Sequence, residues 1–120
     1  MPRDKGDAAF LLDMLEAATT VSEYIVGKSR EDYRRDQMLR DAVERRVSII
    51  GEAARGVSKA FRDAHSEIPW QPIMRTRNII VHDYDDVNPE VLWRIATVHV
   101  PELIRLLTPL IPPLPPEANG

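Results

Sequence analysis

The chain has 120 residues, 43% of them hydrophobic and 29% charged, with a formal net charge of −3. That suits one globular domain able to bury about two-thirds of its unfolded surface. The absence of cysteine excludes disulfides, thiolate zinc sites and cysteine nucleophiles. The acidic balance excludes a basic surface all round, so any nucleic-acid contact must come from a local patch or an assembled cleft.

The N-terminus, Met1-Pro2-Arg3-Asp4-Lys5-Gly6-Asp7, is polar and lacks the apolar stretch of a secretion signal. No apolar run approaches the roughly 20 residues that span a bilayer, so the expected location is the cytoplasm, with no membrane association. From Asp7 to about Val26, Leu11, Met14, Leu15, Ala18, Val21 and Ile25 recur every three or four positions. This is the stripe of an amphipathic helix, with Asp7 as its expected N-cap and Gly27 as its stop. After Lys28-Ser29-Arg30, Asp32 is the expected cap of a second helix. Leu39, Ala42, Val43, Val47, Ile50, Ala54, Val57 and Phe61 continue its stripe for about thirty residues, a length of roughly 45 Å that would project or pair with a second subunit. Gly51 and Gly56 lie within it, and close approach of another helix is the expected compensation for their cost. Glu52, in the same notch, could reach an arginine of another helix.

Residues 64–69 read as a loop, and Ile68-Pro69-Trp70-Gln71-Pro72 opens a third helix from about Trp70 to Val81 or His82. Asp83-Tyr84-Asp85-Asp86-Val87-Asn88 is rich in turn-forming groups. Asn88-Pro89 is the expected cap and first residue of a fourth helix, with Val91, Leu92, Ile95, Val98, Leu103, Leu106 and Leu107 as its core face and a kink at Pro101. Residues 109–120 hold a dense proline run, which reads as a non-helical, disordered tail. The expected architecture is therefore an all-α, four-helix-bundle-like domain over residues 1–108, followed by that tail.

The stretch Arg77-Asn78-Ile79-Ile80-Val81-His82-Asp83-Tyr84 carries more polar chemistry than packing needs. Arg77 and His82, five apart, would stand about 140° apart on a continuous helix. Were the helix to end near Val81, His82 could swing back toward Arg77, and Tyr84 could share that side. Such groups suit cleavage of RNA by its own 2′-hydroxyl. Histidine titrates near neutrality and serves as base or acid, while a permanently charged guanidinium binds the phosphorane oxygens. On spacing alone such a pair also arises by chance, and a structural arginine with a capping histidine is the plainer reading. Asp83, Asp85 and Asp86 are the only clustered hard ligands; a solvated acidic turn explains them more simply than Mg²⁺, so neither metal nor cofactor is expected. The mixed charges from Glu31 to Arg46 read as a solvated face, His65 as solvent-facing, His99 as a helix or interface histidine, and Trp70 and Trp93 as packing anchors.

The stretch resembles the Arg-x4-His-x-Tyr signature of the HepT-like branch of the HEPN ribonuclease superfamily. Asn78 matches the polar residue that often follows the arginine, and Ile50-Gly51-Glu52-Ala53, Ile68-Pro69-Trp70 and Val100-Pro101-Glu102-Leu103 are similar to that family as well. Arg75-Thr76 departs from it, standing where a small residue and often methionine is expected. The resemblance implies an all-α, metal-independent endoribonuclease toxin, cleaving tRNA or mRNA rather than DNA, and acting as a homodimer with two motifs across one cleft. It implies Arg77 and His82 as the catalytic pair, supported by Asn78. It also implies a partner, a minimal nucleotidyltransferase antitoxin of the MntA type, that transfers AMP to Tyr84. Two copies of Arg75 and Arg77 would give the cleft a local positive field, with Arg75 binding substrate. The alternative is a non-catalytic helical dimer that binds and regulates a nucleotidyltransferase or a nucleotide.

Overall fold

The computed structural model describes residues 6–82 and 88–111, with side chains described outside residues 77–82. Every regular element among the described residues is helical, and none is a strand. Helix α1 spans Asp7–Ile25, α2 Arg30–Arg35, α3 Gln37–Gly56, α4 Lys59–Ala64, α5 Trp70–His82, α6 Pro89–Arg94 and α7 Val100–Leu107. A π-helical turn, Ile95–His99, joins α6 to α7, and a 3₁₀ turn, Thr108–Leu110, follows α7. Helix α1 packs on α3, α3 on α5, and α7 on α1. Their shared core includes Leu11, Met14, Ala18, Val43, Val47, Ala54, Ala96, Val100 and Leu107.

The expected thirty-residue helix is instead three helices, because polar caps interrupt its apolar stripe. Asp36 leaves the helical region at φ −107°, ψ 99° and its carboxylate accepts from Leu39 N at 3.0 Å, starting α3 afresh. Ser58 does the same for α4, accepting from Phe61 N at 3.1 Å. The Arg40 guanidinium turns back to donate to the carbonyls of Tyr33 and Arg34, partnering the acceptors that the end of α2 leaves open. No 45 Å rod therefore projects, and the molecule measures 43 × 32 × 31 Å.

Two caps also differ from expectation. Gly6, not Asp7, occupies the N-cap of α1. Asp7 reaches across the fold, accepting from both the amide and the hydroxyl of Ser58 at 2.8 Å. These two hydrogen bonds hold its carboxyl below the usual carboxylate range. Ser29, not Asp32, caps α2; Asp32 accepts in return from the Ser29 amide and completes a capping box. Gly27, by contrast, stands at φ +75° just past α1, the left-handed stop expected of it. Asn88 caps α6 by accepting from Glu90 N at 2.8 Å, with Pro89 beginning the helix.

The last helix holds the clearest shift of register. Val91 and Val98, expected in the core, are 43% and 52% exposed, while Leu92, Ala96, Val100 and Leu103 are buried. From Val98 onward the cause lies at Pro101, which has no N–H to give and whose ring would crowd the carbonyl four residues back. The π turn relieves that crowding by spacing one bond wider, from Val100 N to Ile95 O, and so rotates everything after it. Beyond α7, Leu110 and Ile111 pack against the core. The proline run after Ile111 lies outside the described residues.

Candidate functional site on helix α5

The motif of interest rides on α5, whose first turn is anchored by a buried tryptophan. Trp70 is 6% exposed, and its indole N–H donates to the His65 carbonyl at 2.9 Å. The Trp70 ring meets the Phe61 ring edge-on at 6.4 Å, and Phe61 stacks on His65 at 4.2 Å. His65 is thus part of a small aromatic cluster and not a solvent-facing side chain. Arg62 of α4 donates to the Val57 carbonyl at 3.2 Å and to the Met74 sulfur at 3.6 Å. One turn on, the Thr76 hydroxyl donates to the Ile73 carbonyl at 2.6 Å. Both tryptophans act as packing anchors, as expected, with Trp93 lying against Tyr33 at 5.5 Å.

Helix α5 continues through His82, so the backbone does not turn off before the histidine. Arg77, Asn78 and His82 are all helical. On a regular helix the Cα atoms of Arg77 and His82 are about 7.5 Å apart along the axis and about 140° apart around it. One helix therefore does not by its backbone alone bring the two to a single point. The side chains of Arg77, Asn78 and His82, and all of Tyr84 with Asp83, Asp85 and Asp86, lie outside the described residues. Arg75, on the same helix, is exposed and has no ion pair among the described residues.

Between α5 and α7, with α3 as its floor, runs an apolar slot of about 360 Å³. Val47 and Ile50 form the floor, Pro72 and Ile73 one wall, and Leu103 and Leu106 the other. Thr76, His99 and Glu102 supply its polar groups, and the Glu102 carboxylate is engaged by Arg105. Sequence reasoning did not find this slot. Its residues come from three distant segments, each reading as ordinary core stripe, and only their packing leaves a space.

The cationic run of α2 is spent locally. Arg34 and Arg35 pair with Glu31 at 3.5 and 3.2 Å, and Arg30 pairs with Glu90 of α6 at 3.4 Å. All are exposed, which makes this a solvated face of little energetic weight. No group of three or more metal-ligating side chains occurs among the described residues, and no helix there is long and apolar enough to cross a membrane.

Comparison with known proteins places this geometry in context. A family model described as ribonuclease HepT-like matches residues 14–110. The chain is 36% identical to “Putative RNase MJ1380” of Methanocaldococcus jannaschii, over 79% of this chain and 87% of that protein. It is 35% identical to “Putative RNase TTE0752” of Caldanaerobacter subterraneus subsp. tengcongensis, over 82% and 88%. It is 34% identical to “Probable ribonuclease HepT” of Thermococcus cleftensis, over 78% and 86%. No solved structure matches the chain.

Proposed function

Because the chain belongs to the ribonuclease HepT-like family, we propose that it is a metal-independent endoribonuclease acting through Arg77 and His82. The observation that carries this reading is the match over residues 14–110, which takes in the whole of α5. Helix α5 is also where Arg75, Arg77 and His82 fall on one continuous element. In this reading His82 takes the proton of the 2′-hydroxyl or returns one to the departing 5′-oxygen. The 2′-oxygen bonds to phosphorus, the P–O5′ bond breaks, and a 2′,3′-cyclic phosphate and a 5′-hydroxyl result. Arg77 neutralises the charge that builds on the phosphorane, Asn78 supports the pair, and Arg75 holds neighbouring phosphates.

The reading extends to assembly and control. With Arg77 and His82 about 140° apart on one helix, a homodimer that sets two α5 helices across a cleft lets one copy's arginine and the other's histidine share a substrate. It also concentrates positive charge on a protein whose net charge is −3. The partner is a minimal nucleotidyltransferase antitoxin that transfers AMP to Tyr84, two residues past His82. A phosphodiester there carries negative charge and bulk into the place that RNA phosphate needs.

The test is purified protein with total RNA and tRNA in excess EDTA, alongside His82→Ala and Arg77→Ala. Cleavage by the wild type alone, ending in cyclic phosphates, is the expected result. Equal cleavage by His82→Ala, or a strict need for a divalent ion, overturns it. Mass spectrometry after co-expression with the nucleotidyltransferase should find AMP-sized increments on Tyr84; an unmodified Tyr84 removes the regulatory half.

A further inference from the structure

We propose that the slot between α5 and α7 is a base-recognition subsite that receives one nucleobase of single-stranded RNA and prefers adenine or cytosine, which carry an amine where uracil carries its 4-carbonyl, over uracil. This inference rests on the ribonuclease reading above and adds a substrate preference to it. Four observations lead to it. The slot is walled by the helix that carries the proposed cutting residues, since Thr76 lines it and the next residue along α5 is Arg77. Its about 360 Å³ is at the small-ligand end of the range for binding pockets, room for a base and part of its sugar. Its walls are apolar side chains with a few polar groups at the edge, the lining that small-ligand pockets present. Arg75, exposed and without an ion pair among the described residues, stands on the same helix, a phosphate contact of the sign that a polynucleotide entering here requires.

The chemistry of the polar groups sets the preference. Apolar side chains of Ile50, Ile73, Leu103 and Leu106 suit the two faces of a flat ring, which carry no hydrogen-bonding groups. The edge of the ring is read by Thr76, His99 and Glu102. The Thr76 hydrogen is already committed to the Ile73 carbonyl, so its hydroxyl meets a ligand as an acceptor. Glu102 has only acceptors as well, and its pairing with Arg105 keeps its charge from repelling the substrate. Two of the three groups can only accept, while His99 can donate or accept; the balance of acceptors favours the amine of adenine or cytosine over the carbonyl that uracil presents at the same place. Unstacked bases of single strands are available for such capture, whereas paired ones are not.

The experiment is sequencing of cleavage ends from a random single-stranded RNA pool, with wild type, Thr76→Val and Leu106→Trp run side by side. The wild type should show adenine or cytosine over uracil by about fivefold or more at one position beside the cut. Thr76→Val keeps the slot's shape without its acceptor and should bring that ratio under about twofold. Leu106→Trp fills the slot and should erase the preference, with the solution mass of the protein unchanged. A wild type that cuts with no preference at any flanking position overturns the subsite while leaving the ribonuclease reading intact. Survival of the preference in both variants overturns the subsite in the same way. If Leu106→Trp changes the mass, the slot is an interface between copies and the proposal falls. A wild type that cuts no RNA removes both readings together.

Discussion

Tyr33 offers a test in which the sign of the effect decides. Its side chain is 0% exposed, and its hydroxyl has no hydrogen-bond partner among the described residues. Burial, reinforced by the Glu44 carboxylate, drives the phenol above its ordinary range, so it stays neutral at every working pH. An unpaired buried hydroxyl costs about 1–3 kcal/mol, whereas the ring it crowns packs against Trp93 at 5.5 Å. Tyr33→Phe keeps the ring and removes the cost, and should stabilise the fold by about 1 kcal/mol. For 120 residues the unfolding entropy is about 0.25 kcal/mol/K, which makes this a rise of roughly 4 °C in Tm. Tyr33→Ala removes the ring as well and should cost about 3–5 kcal/mol. Both are read by calorimetry or by circular dichroism in the far ultraviolet. A Tyr33→Phe protein melting clearly below the wild type would refute the reasoning, because the hydroxyl must then have a partner worth more than its desolvation.

Three further outcomes follow from described contacts. A methyl group on Gly56 would overlap the Phe10 ring, so Gly56→Ala should destabilise by about 1–2 kcal/mol, and Phe10→Leu in the same chain should recover part of the loss in a denaturant titration. Asp7 has a folded pKa below its unfolded value of about 3.8. Its contribution is therefore full above that value and is lost as pH falls through the folded pKa. Asp7→Ala should lower Tm near neutral pH and converge with the wild type in scans toward strong acid; a constant gap across that range contradicts the linkage. Arg75→Ala should weaken RNA binding and reduce the salt dependence of log Kd by about one phosphate contact, with Tm unchanged, as measured by fluorescence anisotropy in a salt series.

The parts of the fold legible in the sequence are those that local chemistry decides alone. The α1 stripe with Gly27 behind it, Trp70 to His82, and the Asn88-Pro89 start of α6 each rest on a cap, a proline or a glycine in the right place. The second helix misleads because its apolar period runs through Asp36 and Ser58 without a break in phase. A cap competes with continuation at such a point, and only the tertiary partners, Arg40 over the end of α2 and Asp7 on Ser58, decide in its favour. Tyr33 sits in a run of charges, Asp32-Tyr33-Arg34-Arg35, and no stripe announces it as core. For the site, the residue types in 77–84 and their spacing can be read directly, since a cationic group, a titrating ring and a phenol identify themselves. The slot cannot, because three segments meet there only after the chain has folded.

The π turn at Ile95–His99 can be regarded as a one-residue insertion into an otherwise regular helix. Deleting Thr97 would turn the downstream half back by about 100°, carrying Leu103 and Leu106 off the slot and Val100 out of the core. Ile95, upstream, would stay where it is. The two halves of the slot's α7 wall are therefore phased by a single extra amino acid, and Pro101 is the residue that makes that extra amino acid necessary. In a lineage of such chains, loss of the proline and loss of the inserted residue should occur together, since either change alone leaves the helix out of step with the floor beneath it.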